Sequence, residues 1–186
     1  MRVISGIARR TPLIAPKGYN TRPTSDKSRE SLFNILSQTI SGARFLDLFC
    51  GSGAIGIEAL SRGAEHAVFV DSSRAAQEST LANLHRTKLV HKSEFFKLNV
   101  LKALDDLENL KKGGEGFNFI FLDPPYEDII ILNKTLQKLS SYSLLVEEGV
   151  IIAEISNKAQ VIIPDSLELI SKREYGRVCF LFLKKL

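Results

Sequence analysis

Polar and apolar positions along this chain follow two rhythms, and the change between them marks its organisation. Residues 1–24 hold no sustained period. Arg, Pro and Gly recur there, and only Arg2–Ile7 reads as a short extended stretch. Thr24 or Ser25 can cap a helix running to about Ser41, with Leu32, Ile35, Leu36 and Ile40 as its apolar stripe. From Ala43 compact apolar runs alternate with helical patterns. The runs predict strands at Arg44–Phe49, His66–Asp71, Glu94–Val100, Phe117–Leu122 and Gly149–Ile155. Between them the pattern predicts a helix to about Arg62 that stops at Gly63, and helices at Ser73–Lys88, Leu101–Lys112 and Asp128–Ser140. Leu167–Tyr175 and Arg177–Lys184 then read as a hairpin turning at Gly176. The alternation predicts an α/β fold: a mostly parallel sheet with helices on both faces and antiparallel pairing at one edge. Such sheets bind ligands beyond the carboxyl ends of their strands.

Composition narrows the class. With 186 residues the chain makes one ordinary domain, or a domain of residues 42–186 preceded by a small appendage of residues 1–41. Apolar residues make up 44% and charged residues 25%, as expected of a packed globular protein. Runs such as Phe119–Leu122 are too short for a bilayer, and MRVISGIARR lacks the apolar core of a signal peptide. Two cysteines exclude a disulfide framework, and with three scattered histidines they argue against a metal site. A reducing cytoplasm is the economical location. Charge is uneven. Residues 1–40 hold seven basic and two acidic side chains, against 18 and 19 in the remainder. A basic arm on a near-neutral body fits an anionic partner, nucleic acid first, or equally a solvated, partly mobile terminus.

Two motifs fall at predicted strand ends. Asp47-Leu48-Phe49-Cys50-Gly51-Ser52-Gly53-Ala54-Ile55-Gly56 spells GxGxxG between a strand and a helix. The string alone fits a nicotinamide or flavin site, an S-adenosylmethionine site, or a tight turn. Asp47 favours the second, since its charge repels a pyrophosphate and attracts a sulfonium. Asp71 ends the second strand, where it can accept both ribose hydroxyls or cap a helix, and Asn99 ends the third, near an adenine edge or in a turn. Cys50 reads as a packing residue.

Asp123-Pro124-Pro125-Tyr126 ends the fourth strand. Two prolines stiffen the backbone and leave carbonyls without neighbouring N–H groups. The Asp123 carboxylate and the Pro124 carbonyl make a rigid pair of acceptors, and Tyr126 offers a stacking face. A planar exocyclic amine needs that arrangement, because acceptors on its hydrogens free the lone pair for attack on a sulfonium methyl; the alternative is a segment that only terminates the strand.

The chain resembles the bacterial RsmD-type methyltransferases, which act on guanine N2 of 16S rRNA. The resemblance rests on Arg22-Pro23-Thr24, Asp26, Arg29-Glu30 and Leu32-Phe33-Asn34, on FLDLFCGSGAIGIEALSRGA, on FIFLDPPY and on Tyr175-Gly176-Arg177. It implies a Rossmann-like class I methyltransferase with a seven-stranded sheet, and S-adenosyl-L-methionine as methyl donor. Cofactor contacts then fall to Asp47, Gly51, Ser52, Gly53, Asp71, Ser72, Asn99, Val100 and Asp123. Asp123, Pro124 and Tyr126 hold the target base, and Arg9, Arg10, Arg22 and Arg29 bind phosphates. The implied partner is 16S rRNA within an assembling 30S subunit, met by a monomer without metal or membrane. Many related enzymes carry Asp where Asn99 stands. The competing readings are a DNA amino-methyltransferase, an NAD(P)-dependent oxidoreductase and a non-catalytic RNA-binding module.

Overall fold

The computed structural model describes residues 1–16, 25–110, 116–125 and 128–186. Its elements run α1 (Asp26–Leu36), β1 (Arg44–Leu48), α2 (Ala54–Ser61), β2 (His66–Val70), α3 (Arg74–Thr87), β3 (Ser93–Phe96), α4 (Val100–Leu110), β4 (Phe117–Leu122), α5 (Ile129–Ser141), β5 (Leu145–Ser156), β6 (Leu167–Tyr175) and β7 (Val178–Lys185). The strands form one seven-stranded sheet in the order β3-β2-β1-β4-β5-β7-β6. Strands β1 to β5 are parallel, and β7 runs antiparallel to both β5 and β6. The chain leaves β1 toward β2 and β3, then returns to the other side of β1 with β4. The resulting crevice at the carboxyl ends is the ordinary ligand site of an open α/β sheet. This is the expected class I methyltransferase architecture.

Alternate side chains along the central strands feed two cores. Phe45, Phe69, Phe121, Ile152 and Phe180 pack with α1, α2 and α3; Leu46, Val68, Ile120, Leu122 and Ile151 pack with α4 and α5. Val3, Ala8 and Leu13 of the amino-terminal segment belong to the first core.

Three expectations are corrected at element ends. The first helix stops at Leu36, with Ile35 exposed and Ile40 buried beyond it. Ser25 caps it by accepting the N–H of Ser28 at 3.0 Å. Strand β3 ends at Phe96, not Val100; Leu98 N–H donates to the Phe96 carbonyl and the chain turns at once into α4. Strand β5 starts at Leu145, four residues early. A register irregularity between Phe117 and Phe119, together with the consecutive acids Glu147 and Glu148, hides that stretch from a period-two reading. The expected close of the fourth helix at Lys112 and Gly113-Gly114 lies outside the described residues.

The amino-terminal segment is docked, not loose. Residues 1–13 fold back through an Arg2–Pro12 bridge, with Val3 N–H donating to Thr11 O and Arg10 N–H to Val3 O. Glu58 of α2, fully buried, accepts from Ile4 N–H at 2.8 Å and Ser5 N–H at 3.0 Å. Ser61 receives Ala8 N–H on its hydroxyl and donates that hydroxyl to Ser5 O. Asn83 of α3 accepts from Ile14 N–H and donates to the carbonyls of Ile14 and Ser52.

Candidate active site

Register places the motifs along one line. Val70, Leu48, Leu122 and Ala153 are partners in successive ladders of β2, β1, β4 and β5. The next residue on each chain is Asp71, Phe49, Asp123 and Glu154. At about 4.8 Å per strand, the Asp71 and Asp123 backbones stand roughly 10 Å apart, with the glycine loop between them.

The loop needs its glycines. Gly51 and Gly53 have φ of +54° and +73°. A Cβ on Gly51 meets nothing within 4 Å, so its backbone faces open space, whereas one on Gly53 comes within 2.7 Å of Thr80 Cγ2. Gly56 lies against the Phe69 ring, which a Cβ there approaches to 2.4 Å. Phe49 also adopts a left-handed φ, +61°, a conformation that costs a non-glycine residue roughly 1 kcal/mol or more. Strain of that kind at a loop beside a cleft is a mark of function that no sequence pattern gives. Thr80 and Ser79 of α3 both donate to the Gly51 carbonyl, at 3.0 and 3.3 Å, and hold the loop from behind.

The carboxylates divide the work. Asp71 is partly exposed; it accepts Gly51 N–H at 3.0 Å on one oxygen and Ser73 N–H at 2.9 Å on the other. A carboxylate has about four acceptor sites, so two remain for paired hydroxyls. Ser73, not Asp71, is the cap of α3. Asp47 sits within β1, 2% exposed, and accepts Gly56 N–H at 2.9 Å. It braces the start of α2 from below the loop instead of standing beside it. Burial and the nearby Asp71 push its carboxyl up to about 7. The first effect is the larger, because desolvation penalises the ionised form. Burial likewise pushes the Cys50 thiol well up, in keeping with a packing residue. Among the described residues no His/Cys/Asp/Glu group has the makings of a metal site.

At the β4 end Asp123 is partly buried and Pro124 buried, and Pro125 O accepts Asp128 N–H at 2.8 Å. Asp128 in turn caps α5 through Ile131 N–H. Asp123 is held well above the usual carboxylate range by burial first, then by Glu154 and Asp47. Glu154, 2% exposed, is an acid that the motifs do not point to; its one signal in the sequence is a charge inside the apolar run GVIIAEIS. The open Gly51 backbone, the half-satisfied Asp71 and the carboxyl-lined floor suit a cationic nucleoside with an amino-acid tail better than a pyrophosphate.

Known proteins point the same way. Residues 1–184 match the family described as "Conserved hypothetical protein 95". YlbH of Bacillus subtilis (strain 168) is 39% identical over 188 residues, covering 100% of this chain and 99% of that protein. Ribosomal RNA small subunit methyltransferase D of Escherichia coli (strain K12) is 34% identical over 154 residues, 83% of this chain and 74% of the relative. The chain belongs to the RsmD family. The solved structure of yhhF from Escherichia coli superposes with a TM-score of 0.83 at 29% identity, covering 100% of this chain and 97% of that one.

Within this RsmD-family chain some expected contacts move. Asn99 is exposed and stands before α4, where its side chain accepts Leu101 N–H at 3.0 Å. It occupies a helix start, not a strand end, and Val100 is buried in the second core. Ser72 is exposed beside Asp71, and Ser52 lies in the loop, its carbonyl held by Asn83. Arg29 requires correction. Its side chain is 1% exposed, with Nη2 donating to Arg2 O and to Asp26 Oδ1 at 2.9 Å. A phosphate cannot reach that guanidinium, which instead ties α1 to the arm. Arg9 and Arg10 are exposed and, with Arg2 and Lys27, line a groove of about 380 Å³ whose acids are Asp26 and Glu30. Arg22 and Tyr126 lie outside the described residues.

Proposed function

We propose that this protein transfers a methyl group to the exocyclic N2 of a guanine in small-subunit (16S) rRNA. S-adenosyl-L-methionine, when bound, supplies the electrophilic methyl. Gly51 and Ser52 receive its amino-acid end, over the charge of Asp47, and Asp71 takes the ribose hydroxyls. Asp123 and the Pro124 carbonyl accept the two hydrogens of the target amine, and Tyr126 stacks on the base. The basic groove holds the flanking backbone, which fixes the position of the RNA but reads no sequence. The target base has to leave its stack to reach the cleft.

The observation carrying this reading is the alignment of Asp71 and Asp123 on one sheet edge, on either side of the glycine loop. A nicotinamide enzyme leaves the Asp-Pro-Pro segment unused. A DNA methyltransferase is less well supported, because the relatives named above are described as rRNA methyltransferases. The test is transfer of tritiated methyl to naked 16S rRNA, 30S particles and duplex DNA, followed by digestion and identification of the labelled nucleoside. N2-methylguanosine from 16S rRNA is expected, and label confined to DNA overturns the proposal. Calorimetry with S-adenosylhomocysteine and with NAD(P)H should detect only the first.

A further inference from the structure

Glu154 is a costly residue to hold where it stands. Its neighbours on the same face of the sheet are Ile152 on β5 and Phe180 on β7, and it is nearly solvent-free. Burying a carboxyl among such groups is unfavourable without a polar partner. The register supplies one. Leu122 pairs with Ala153, so Asp123 and Glu154 are the next neighbours across β4 and β5. Both point to the side of the sheet that carries Asp47, because Asp47 is paired with Phe121 and Phe121 shares a core with Ile152.

We propose that Glu154 is a positioning residue that acts through Asp123, the two carboxyl groups forming one proton-accepting unit for the target amine. The inference rests on the methyl-transfer reading above. As the new N–C bond forms and the sulfonium S–C bond breaks, the amine nitrogen becomes cationic. One of its protons passes to an Asp123 oxygen and, from there, to solvent. The Glu154 charge raises the affinity of Asp123 for that proton, as its placement and its electrostatic effect on Asp123 both require. The titratable groups facing Asp123 are Glu154 from β5 and Asp47 from β1, with Asp71 acting on Asp47 and Asp128 at the start of α5 beside Pro124 and Pro125.

The experiment is carboxyl ¹³C NMR titration of labelled Asp and Glu in the S-adenosylhomocysteine complex, alongside kcat against pH. Wild-type Asp123 and Glu154 should titrate as a coupled pair, each sensing the other's step. In Glu154→Gln, which keeps the shape and removes the charge, the Asp123 midpoint should fall. The acid limb of kcat should move to lower pH, so that activity at pH 6 relative to pH 8 rises. Glu154→Asp should restore the wild-type order. Independent single-step titrations in wild type, or an Asp123 midpoint and acid limb unmoved by Glu154→Gln, overturn the proposal. The wild-type titration needs neither a variant nor RNA, so it decides whether the two carboxyls are coupled even if the rRNA reading fails.

Discussion

Asp47 is buried and Asp123 partly buried at one sheet edge, and they answer different tests. Asp47 keeps its proton more tightly in the folded protein, at about 7 against an ordinary 3.8. A carboxyl raised in this way adds stability fully at low pH, and loses it as pH climbs through the folded value. The contribution therefore disappears between about pH 4 and pH 7. Asp47→Asn can still accept Gly56 N–H and carries no charge, so it should gain stability relative to wild type as pH rises through that window. The difference should level off above it and reach at most on the order of 4 kcal/mol. Urea denaturation at several pH values measures it, and a constant difference contradicts the assignment. Asp123→Ala should lower methyl transfer ~10²–10³-fold, the scale of losing one preorganised partner, and far more than it lowers S-adenosylhomocysteine affinity. Full activity in that variant removes Asp123 from the amine. Residue roles of this sort are partly legible in sequence. Asp71 and Asp123 stand at the strand ends where apolar runs stop. Arg29 defeats such a reading because a basic residue in a basic arm looks like surface; only its carbonyl and Asp26 contacts reveal an internal tie.

At the scale of elements, the parallel sheet is readable because each apolar strand run is followed by a helical pattern and a stop such as Gly63. What the pattern does not carry is the docking of the arm. Glu58 and Asn83 hold it by side-chain bonds to backbone, and such bonds leave no periodic trace. For the same reason the pattern puts Asn99 at a strand end, although its side chain serves the start of α4. Asn83 joins the arm at Ile14 to the glycine loop at Ser52. Asn83→Ala removes three hydrogen bonds and should cost about 2–3 kcal/mol. It should also speed tryptic cleavage after Arg9 and Arg10 and weaken S-adenosylhomocysteine binding. Unchanged cleavage in a folded variant shows that Asn83 does not hold the arm.

Over the whole molecule, charge is sorted by position. Four basic side chains line the arm groove, while Asp47, Asp71, Asp123 and Glu154 gather at the sheet edge. Reversing Arg9 and Arg10 to Glu should weaken RNA binding and flatten its dependence on log salt. With ~0.7 per phosphate contact on a single strand, the slope should drop by about 1.4. An unchanged slope takes both arginines off the RNA. The acidic edge has a consequence of its own. A nucleic acid's ribose-phosphate rail is turned away from the catalytic mouth by the same field that welcomes an onium group. On the proposed function, a strand can lie along the arm only with its anionic spine outward, and a neutral base is the one part of it that enters at low electrostatic cost. The molecule thus screens which end of a nucleotide comes in first, before any hydrogen bond to the base is made.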